Sequence, residues 1–426
     1  MGGRAVLGVA LVLAGAFLDV PIALALGVVT VGFELVRRPW LSNAIAGVGY
    51  RRHLSSRHVP CGEAATLTIE VWNRTRLPLS WLRSDDAISE HATVRERRLL
   101  PGELGDLDLR NTWTLGPREL VRRRLHLGAA RRGVVEIGPT ELLVGDLFAL
   151  PAGRTNRPGV DRLTVWPRTV PAPALARRER VGGTDRARRG LSEDPSRFVG
   201  IRDYQPGDPV RRLHVRASAR LGRPMSKRFE PSRDRDVLLV VDLEPPDPSD
   251  PASVPGPEPA SAPEPATAAD RDPDEATESL IVIAASLVRS LGLAHAAFGL
   301  AAAGFMGPGR RISFLPVTAA PGQTERALDL LARLSTGPSA SFDRLAGFVG
   351  RATREGTTIL VLTGRGASGL VRPLRLLQRQ GHSVRVLASG PAGAEAARTA
   401  RAAGLPAEVI ELDDGWRTAT RVVVAG

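Results

Sequence analysis

Residues 5–36 read AVLGVALVLAGAFLDVPIALALGVVTVGFELV, with only Asp19 and Glu34 charged. Few folds accept such a run. A straight helix of this length overshoots the hydrocarbon core of a bilayer, which takes about 20 residues. The Asp19-Val20-Pro21 step predicts two short helices instead, a hairpin over residues 1–38 with its polar turn at the far face. Arg4 precedes the first arm, and Arg37 and Arg38 follow the second. Positive charge at both ends predicts a membrane hairpin with its body in the cytoplasm. Each arm is short for a full span, so a re-entrant hairpin is the variant of this reading. The rival is a cleaved signal peptide ending near Ala14-Gly15-Ala16, which would leave a second apolar run on the mature chain.

The 426 residues suffice for two or three domains. A net charge of +13 favours anionic neighbours without defining a fold. Aromatics make up only 4%, which speaks against a single-strand nucleic-acid platform of stacked rings. Cys61 is the only cysteine and the seven histidines are scattered, so neither a disulfide framework nor a zinc site is expected.

From 54 to 168 the pattern turns to short alternating runs such as ATLTIEVWN, punctuated by glycine. This predicts an antiparallel β-sandwich with Trp72, Trp81 and Trp113 in its core and its arginines on a solvated face. From 236 to 426, apolar strands (DVLLVVD, TTILVLTG, SVRVLAS) alternate with helical patterns (ESLIVIAASLVRSLG, QTERALDLLARLS, SGLVRPLRLLQRQG). Strands so arranged predict a parallel sheet covered on both faces, a doubly wound α/β domain. Ten prolines between Pro245 and Pro273, mixed with acids, predict a disordered insertion over 245–275.

A basic connector over 169–235 joins the two halves. Between Phe198 and Phe229 it holds seven Arg and one Lys against two Asp. Asp208 and Pro209 read as the start of a helix running to about Leu221 and stopping at Gly222. Val210, Leu213, Ala217 and Leu221 would face a core, while Arg212, Arg216 and Arg220 fall four apart on another side. Like charges at that spacing repel by about 0.2–0.5 kcal/mol per pair, so the row calls for an anionic counterpart. The plain alternative is a solvated face.

Catalytic motifs are scarce. GRGASG (Gly364–Gly369) has dinucleotide-loop spacing after a strand, but no acid ends the next strand where a ribose would need one. A tight strand-to-helix turn explains those glycines. GxxxxGK[ST], HExxH and GxSxG do not occur, so no enzyme, cofactor or metal is expected.

The segment FVGIRDYQPGDPVRRLHVRASARLGRPMSKRFEPSRDRDVLLVVD resembles the bacterial domain of unknown function 58 family. Phe198, Gly200, Arg202, Tyr204, Gly207, Asp208, Arg211, Ala219 and Arg220 match its pattern, with Val215 where the family usually has Trp. The upstream RRGVVEIGPTELLVGDLFAL resembles a second family element. The resemblance implies a membrane-anchored protein whose α/β half is similar to a von Willebrand factor A domain. It also implies company: MoxR-type AAA+ ATPases and transglutaminase-like membrane proteins. Metal-binding A domains carry D-x-S-x-S after the first strand and T-D-G after a later one. Here the strands end Asp242-Leu243-Glu244-Pro245-Pro246 and Thr363-Gly364-Arg365. Asp242 alone is a degenerate metal position, since hard cations need several converging oxygens.

The reading that follows is a non-enzymatic adaptor or scaffold in protein-complex or cell-envelope assembly. Arg202, Asp203, Asp208, Arg211, Arg212, Arg216 and Arg220 form a charged joint within the chain or with a protein partner, and the acidic insertion is a candidate to shield it. Its rivals are a basic nucleic-acid-binding membrane protein and a degenerate nucleotide-binding enzyme.

Overall fold

The fixed φ of proline suits the first turn of a helix, and Pro21 opens the second helix of the chain. The computed structural model describes residues 3–102, 107–145, 151–173, 193–205, 213–231, 236–243, 273–303, 312–334, 341–366 and 369–425. The chain divides into two units, Met1–Trp166 and Pro167–Gly426.

Unit 1 begins with α1 (Gly3–Phe17) and α2 (Pro21–Gly47), which pack against each other around a turn where Asp19 takes φ 52. Their seam is made of glycine. A Cβ on Gly15 would strike the Leu24 backbone, and one on Gly27 would lie 2.5 Å from Val12 N. The outer surface is apolar and open, with Phe17 91% and Ile22 81% exposed. The second helix continues to Gly47, past the end at 38 expected from the sequence.

Strands β1 (Val48–Leu54), β2 (His58–Pro60), β3 (Ala64–Asn73), β4 (Leu79–Ile88), β5 (Ala92–Val94), β6 (Leu100–Pro101), β7 (Leu107–Leu115), β8 (Leu120–Ala129), β9 (Gly133–Gly145), β10 (Pro151–Arg157) and β11 (Asp161–Trp166) follow. They form one sheet ordered β1-β3-β8-β5 and another ordered β2-β11-β9-β4-β7-β6, with β10 beside β9. Pairing is antiparallel except between β11 and β2. Alternation along β3 buries Leu67, Ile69 and Val71 against Leu82, Leu109 and Ile137 of the facing sheet. The sandwich starts at Val48, earlier than its spacing suggested. Of the three tryptophans expected in its core, Trp113 is buried, while Trp72 and Trp81 are only half-buried.

Unit 2 opens with a two-stranded ribbon, β12 (Glu193–Asp203) and β13 (Met225–Pro231), with α3 (Val215–Leu221) between them. Then come β14 (Val237–Asp242), α4 (Pro273–Leu293), β15 (Phe298–Ala303), β16 (Ile312–Thr318), α5 (Gln323–Arg333), α6 (Phe342–Ala352), β17 (Thr358–Thr363), α7 (Val371–Arg379), β18 (Ser383–Ala388), α8 (Gly393–Ala402), β19 (Ala407–Leu412) and β20 (Val422–Ala425). The sheet runs β16-β15-β14-β17-β18-β19-β20, parallel through its middle and antiparallel at both edge strands. Every residue of β14 is buried, the mark of a strand covered on both faces. Helices α6, α7 and α8 supply one core, and α4 and α5 pack on the sheet as well.

Among the described residues, one helix, Glu275–Leu293, is long and apolar enough to cross a membrane by length and composition, at a mean hydropathy of 1.5. More than half of it is buried, with Ile281, Ile283 and Val288 inside the unit 2 core, so here it serves as a core helix. The arms Gly3–Phe17 and Pro21–Val36 are apolar but shorter. Pro273 opens α4, so 273–275 are helical and not part of the proline-rich insertion. Residues 245–272 lie outside the described residues.

Candidate functional site

The basic motif folds as the β12–β13 ribbon, with Phe198 opposite Phe229, Gly200 opposite Arg228 and Arg202 opposite Ser226. His214 caps α3: its Nδ1 accepts from Ala217 N at 3.0 Å, and its own N–H donates to Met225 O at 2.7 Å. Ser218 Oγ locks the helix to the ribbon, donating to His214 O and accepting from Met225 N. Tyr204 N–H donates to Pro224 O at 3.0 Å. Gly222 ends the helix with φ 65, where a side chain would be strained.

The end of this helix lies where the sequence placed it, but its start does not. Leu213 bridges to Ser226 as extended chain, and the helix begins only at Val215, because His214 provides the cap. The apolar row expected to face a core is not buried either. Leu221 is 50% exposed, Leu213 and Ala217 are half-buried, and Val210 lies outside the described residues.

Arg202 Nη1 donates to Asp203 O, and Asp203 pairs with Arg223 at 3.3 Å, both carboxylate and guanidinium being exposed. Arg216 and Arg220 stand exposed beside Val215 and Ala219, and neither makes an ion pair among the described residues. Among the described residues, α3 therefore presents an exposed face of two apolar and two basic side chains. Gly207, Asp208, Arg211 and Arg212 lie outside the described residues.

A second constellation sits at the carboxyl end of the large sheet. From β14 the chain crosses through α4 to β15 on one side, and from β17 through α7 to β18 on the other. The order reverses between β14 and β17, the place where open α/β sheets usually admit ligands. Asp242 ends β14 there with its side chain wholly buried. Its Oδ2 accepts from Thr363 Oγ1 at 3.0 Å and from Arg365 Nε at 2.8 Å. Arg365 also lies 5.7 Å from the Phe342 ring centroid. The chain's own guanidinium occupies the carboxylate that a cation would need. Gly364, at the start of the GRGASG turn, packs against Leu280, whose Cδ1 would lie 3.0 Å from a Cβ there. Among the described residues, no group of three or more His, Cys, Asp or Glu is placed to hold a metal.

Sequence reasoning missed a third cluster. Asp86 on β4 is wholly buried and accepts from Tyr50 Oη at 2.6 Å, Thr140 Oγ1 at 2.7 Å and Arg52 Nη1 at 3.0 Å. Arg52 reaches on to Asp161 at 3.1 Å and Gly159 O at 2.6 Å. Burial pushes the Asp86 carboxyl above its usual range despite these donors, and burial with the adjoining carboxylate pushes the Tyr50 hydroxyl well above 10. This corrects the expectation that arginines among the strands are solvated: the Arg52 side chain is 5% exposed. Asp86 falls on the inward register counted from Leu82, a signal that alternation alone contains. The cluster ties the two sheets together.

Residues 200–249 match the family described as "Protein of unknown function DUF58". That span covers the end of β12, α3, β13 and β14 with Asp242. No curated protein matches the chain. Among solved structures, the CARDB domain of a Pyrococcus furiosus protein in complex with di-metal ions is similar at 14% identity over 28% of this chain and 91% of that one, with a TM-score of 0.20. A Salmonella alpha-2-macroglobulin mutant is similar at 15% identity over 34% and 9%, with a TM-score of 0.20. Spo0M, a sporulation control protein from Bacillus subtilis, is similar at 12% identity over 28% and 49%, with a TM-score of 0.16.

Proposed function

We propose that the chain is a membrane-anchored, non-enzymatic adaptor of the DUF58 family, which docks a protein partner through the open face of α3. The observation that carries this reading is the juxtaposition of Arg216 and Arg220 with the exposed Val215 and Ala219. Two guanidinium groups four residues apart repel, and exposed apolar side chains beside them favour a partner that brings both carboxylates and apolar surface. The family resemblance supplies the partner class, a MoxR-type AAA+ ATPase, with transglutaminase-like membrane proteins as further company. It also supplies the comparison of unit 2 with a von Willebrand factor A domain. In that comparison Arg365 stands in for the metal at Asp242, which supports docking without metal and without turnover.

The open apolar surface of the α1–α2 hairpin supports anchoring in the bilayer. Arg4, Arg37 and Arg38 support a cytoplasmic body. The reading is tested by placing a photo-crosslinking amino acid at Ala219 in the full chain and irradiating native membranes. A crosslink to an AAA+ ATPase is the expected result; crosslinks to lipid or nucleic acid alone would contradict it.

A further inference from the structure

Beside the foot of α2, unit 1 carries a cleft of about 490 Å³ lined by Arg51, Trp72, Arg74 and Arg118. The Trp72 indole faces outward from β3 and lies across Gly49 of β1, where any Cβ would collide with the ring. Arg51 and Arg74 approach that ring at 5.9 and 5.6 Å. The surrounding turns are held by a buried brace. Asn73 Nδ2 donates to Leu77 O at 2.7 Å and to Gly116 O at 2.9 Å, and its Oδ1 accepts from Thr75 N. Arg118, at φ 55, donates its N–H to Thr75 O. Arg74 N–H donates to Gly47 O at 2.9 Å, which fixes this basic corner to the last residue of α2.

The acids at the cleft are engaged. Glu70 pairs with Arg122 at 2.7 Å, and Glu119 accepts from Gly116 N–H. Arg51, Arg74 and Arg118 are exposed and make no ion pair with a carboxylate among the described residues. From Val36, where the apolar part of α2 ends, the helix runs on for roughly 15 Å to Gly47. Lipid headgroups fill the first ~5–8 Å of such a distance. The rest is about one Debye length, most of which an extended arginine side chain spans.

We propose that this cleft binds the phosphates of anionic phospholipid headgroups and seats the sandwich on the bilayer, with Trp72 as the interfacial ring. The proposal rests on the reading of α1–α2 as a membrane anchor.

The test uses the full chain in nanodiscs of phosphatidylcholine alone or with phosphatidylglycerol, followed by hydrogen exchange. Phosphatidylglycerol should slow exchange in residues 70–76 and 116–122 by about tenfold, a modest share of what three lipid-facing arginines supply. The combined variant Arg51→Glu, Arg74→Glu, Arg118→Glu should lose that protection. The control Arg95→Glu, Arg97→Glu, Arg98→Glu, of equal charge change, should keep it. Equal exchange in both lipids, or equal loss in both variants, overturns the proposal. So does the same protection from inorganic phosphate added to phosphatidylcholine nanodiscs, which would assign the cleft to a soluble anion.

Flotation separates this from the anchor. Failure to float with phosphatidylcholine vesicles refutes the anchor alone. The cleft is then judged by flotation with phosphatidylglycerol vesicles, which the cleft variant must abolish; no flotation of the natural chain there overturns both.

Discussion

Arg365 Nε stands 2.8 Å from Asp242 Oδ2, joining the carboxyl ends of adjacent parallel strands through a carboxylate that has no exposure of its own. A buried carboxylate leans on the donors and cations around it for its place in the fold.

Arg365→Ala should therefore destabilise the protein by about 3–5 kcal/mol, since it takes a guanidinium at 2.8 Å away from a buried carboxylate. Removing both charges with Asp242→Asn and Arg365→Met together should recover most of that loss. Urea unfolding of the two variants checks this. A double variant as unstable as the single one would show that packing, and not charge, holds the strand ends.

The Asp86 cluster gives a second expectation. Arg52→Ala should cost about 3–5 kcal/mol at neutral pH, and Tyr50→Phe about 1–3 kcal/mol for one lost donor to a buried acceptor. Burial already holds the Asp86 carboxyl above its usual value, and Arg52 is the main influence pulling it down. A carboxyl raised by folding favours the native state at acid pH and loses that contribution as pH rises through its folded value. The cost of Arg52→Ala should accordingly shrink as pH falls and Asp86 takes a proton. Unfolding midpoints across pH, followed by fluorescence of the buried Trp113, would show it.

Asp413 behaves in the opposite sense. Its carboxylate accepts first from the Thr420 hydroxyl and also from the Arg421 and Thr420 amides, which lowers its pKa from 3.8 to about 2. A depressed carboxyl stabilises the fold above its unfolded value and loses that contribution as pH falls toward 2. Thr420→Val should raise the Asp413 value, so its deficit against the natural chain should be full above pH ~4 and narrow toward pH 2. Carbon NMR of the Asp413 carboxyl and acid unfolding curves measure both halves.

Local signals carried the sequence reading far in some places. Strands buried on both faces are apolar nearly throughout, which made β14 and β17 visible. The Asp19–Pro21 break and the Gly222 stop come from backbone geometry that few residues tolerate. Other elements left weaker traces. Strand β15 reads FGLAAA and α8 reads GAEAARTARA, runs of small residues whose period is faint. The Arg52–Asp86 bond joins residues 34 apart on facing sheets, and such pairing has no local signature. The start of α3 was misplaced because a histidine caps it, while aspartate and proline nearby offered the more familiar pattern. At Asp242 the acid that ends the strand was legible, but its partner Arg365 became visible only once the two strand ends were side by side.

The central claim is that α3 presents guanidinium groups for a protein partner. Its most direct test is the affinity of the detergent-solubilised full chain for a purified MoxR-type ATPase, with and without Arg216→Glu and Arg220→Glu. Exposed side chains carry little of the fold, so the unfolding midpoint should not move, while binding should weaken by at least about tenfold. Unchanged affinity in a folded variant, or no binding by the natural chain at low salt, would contradict the account.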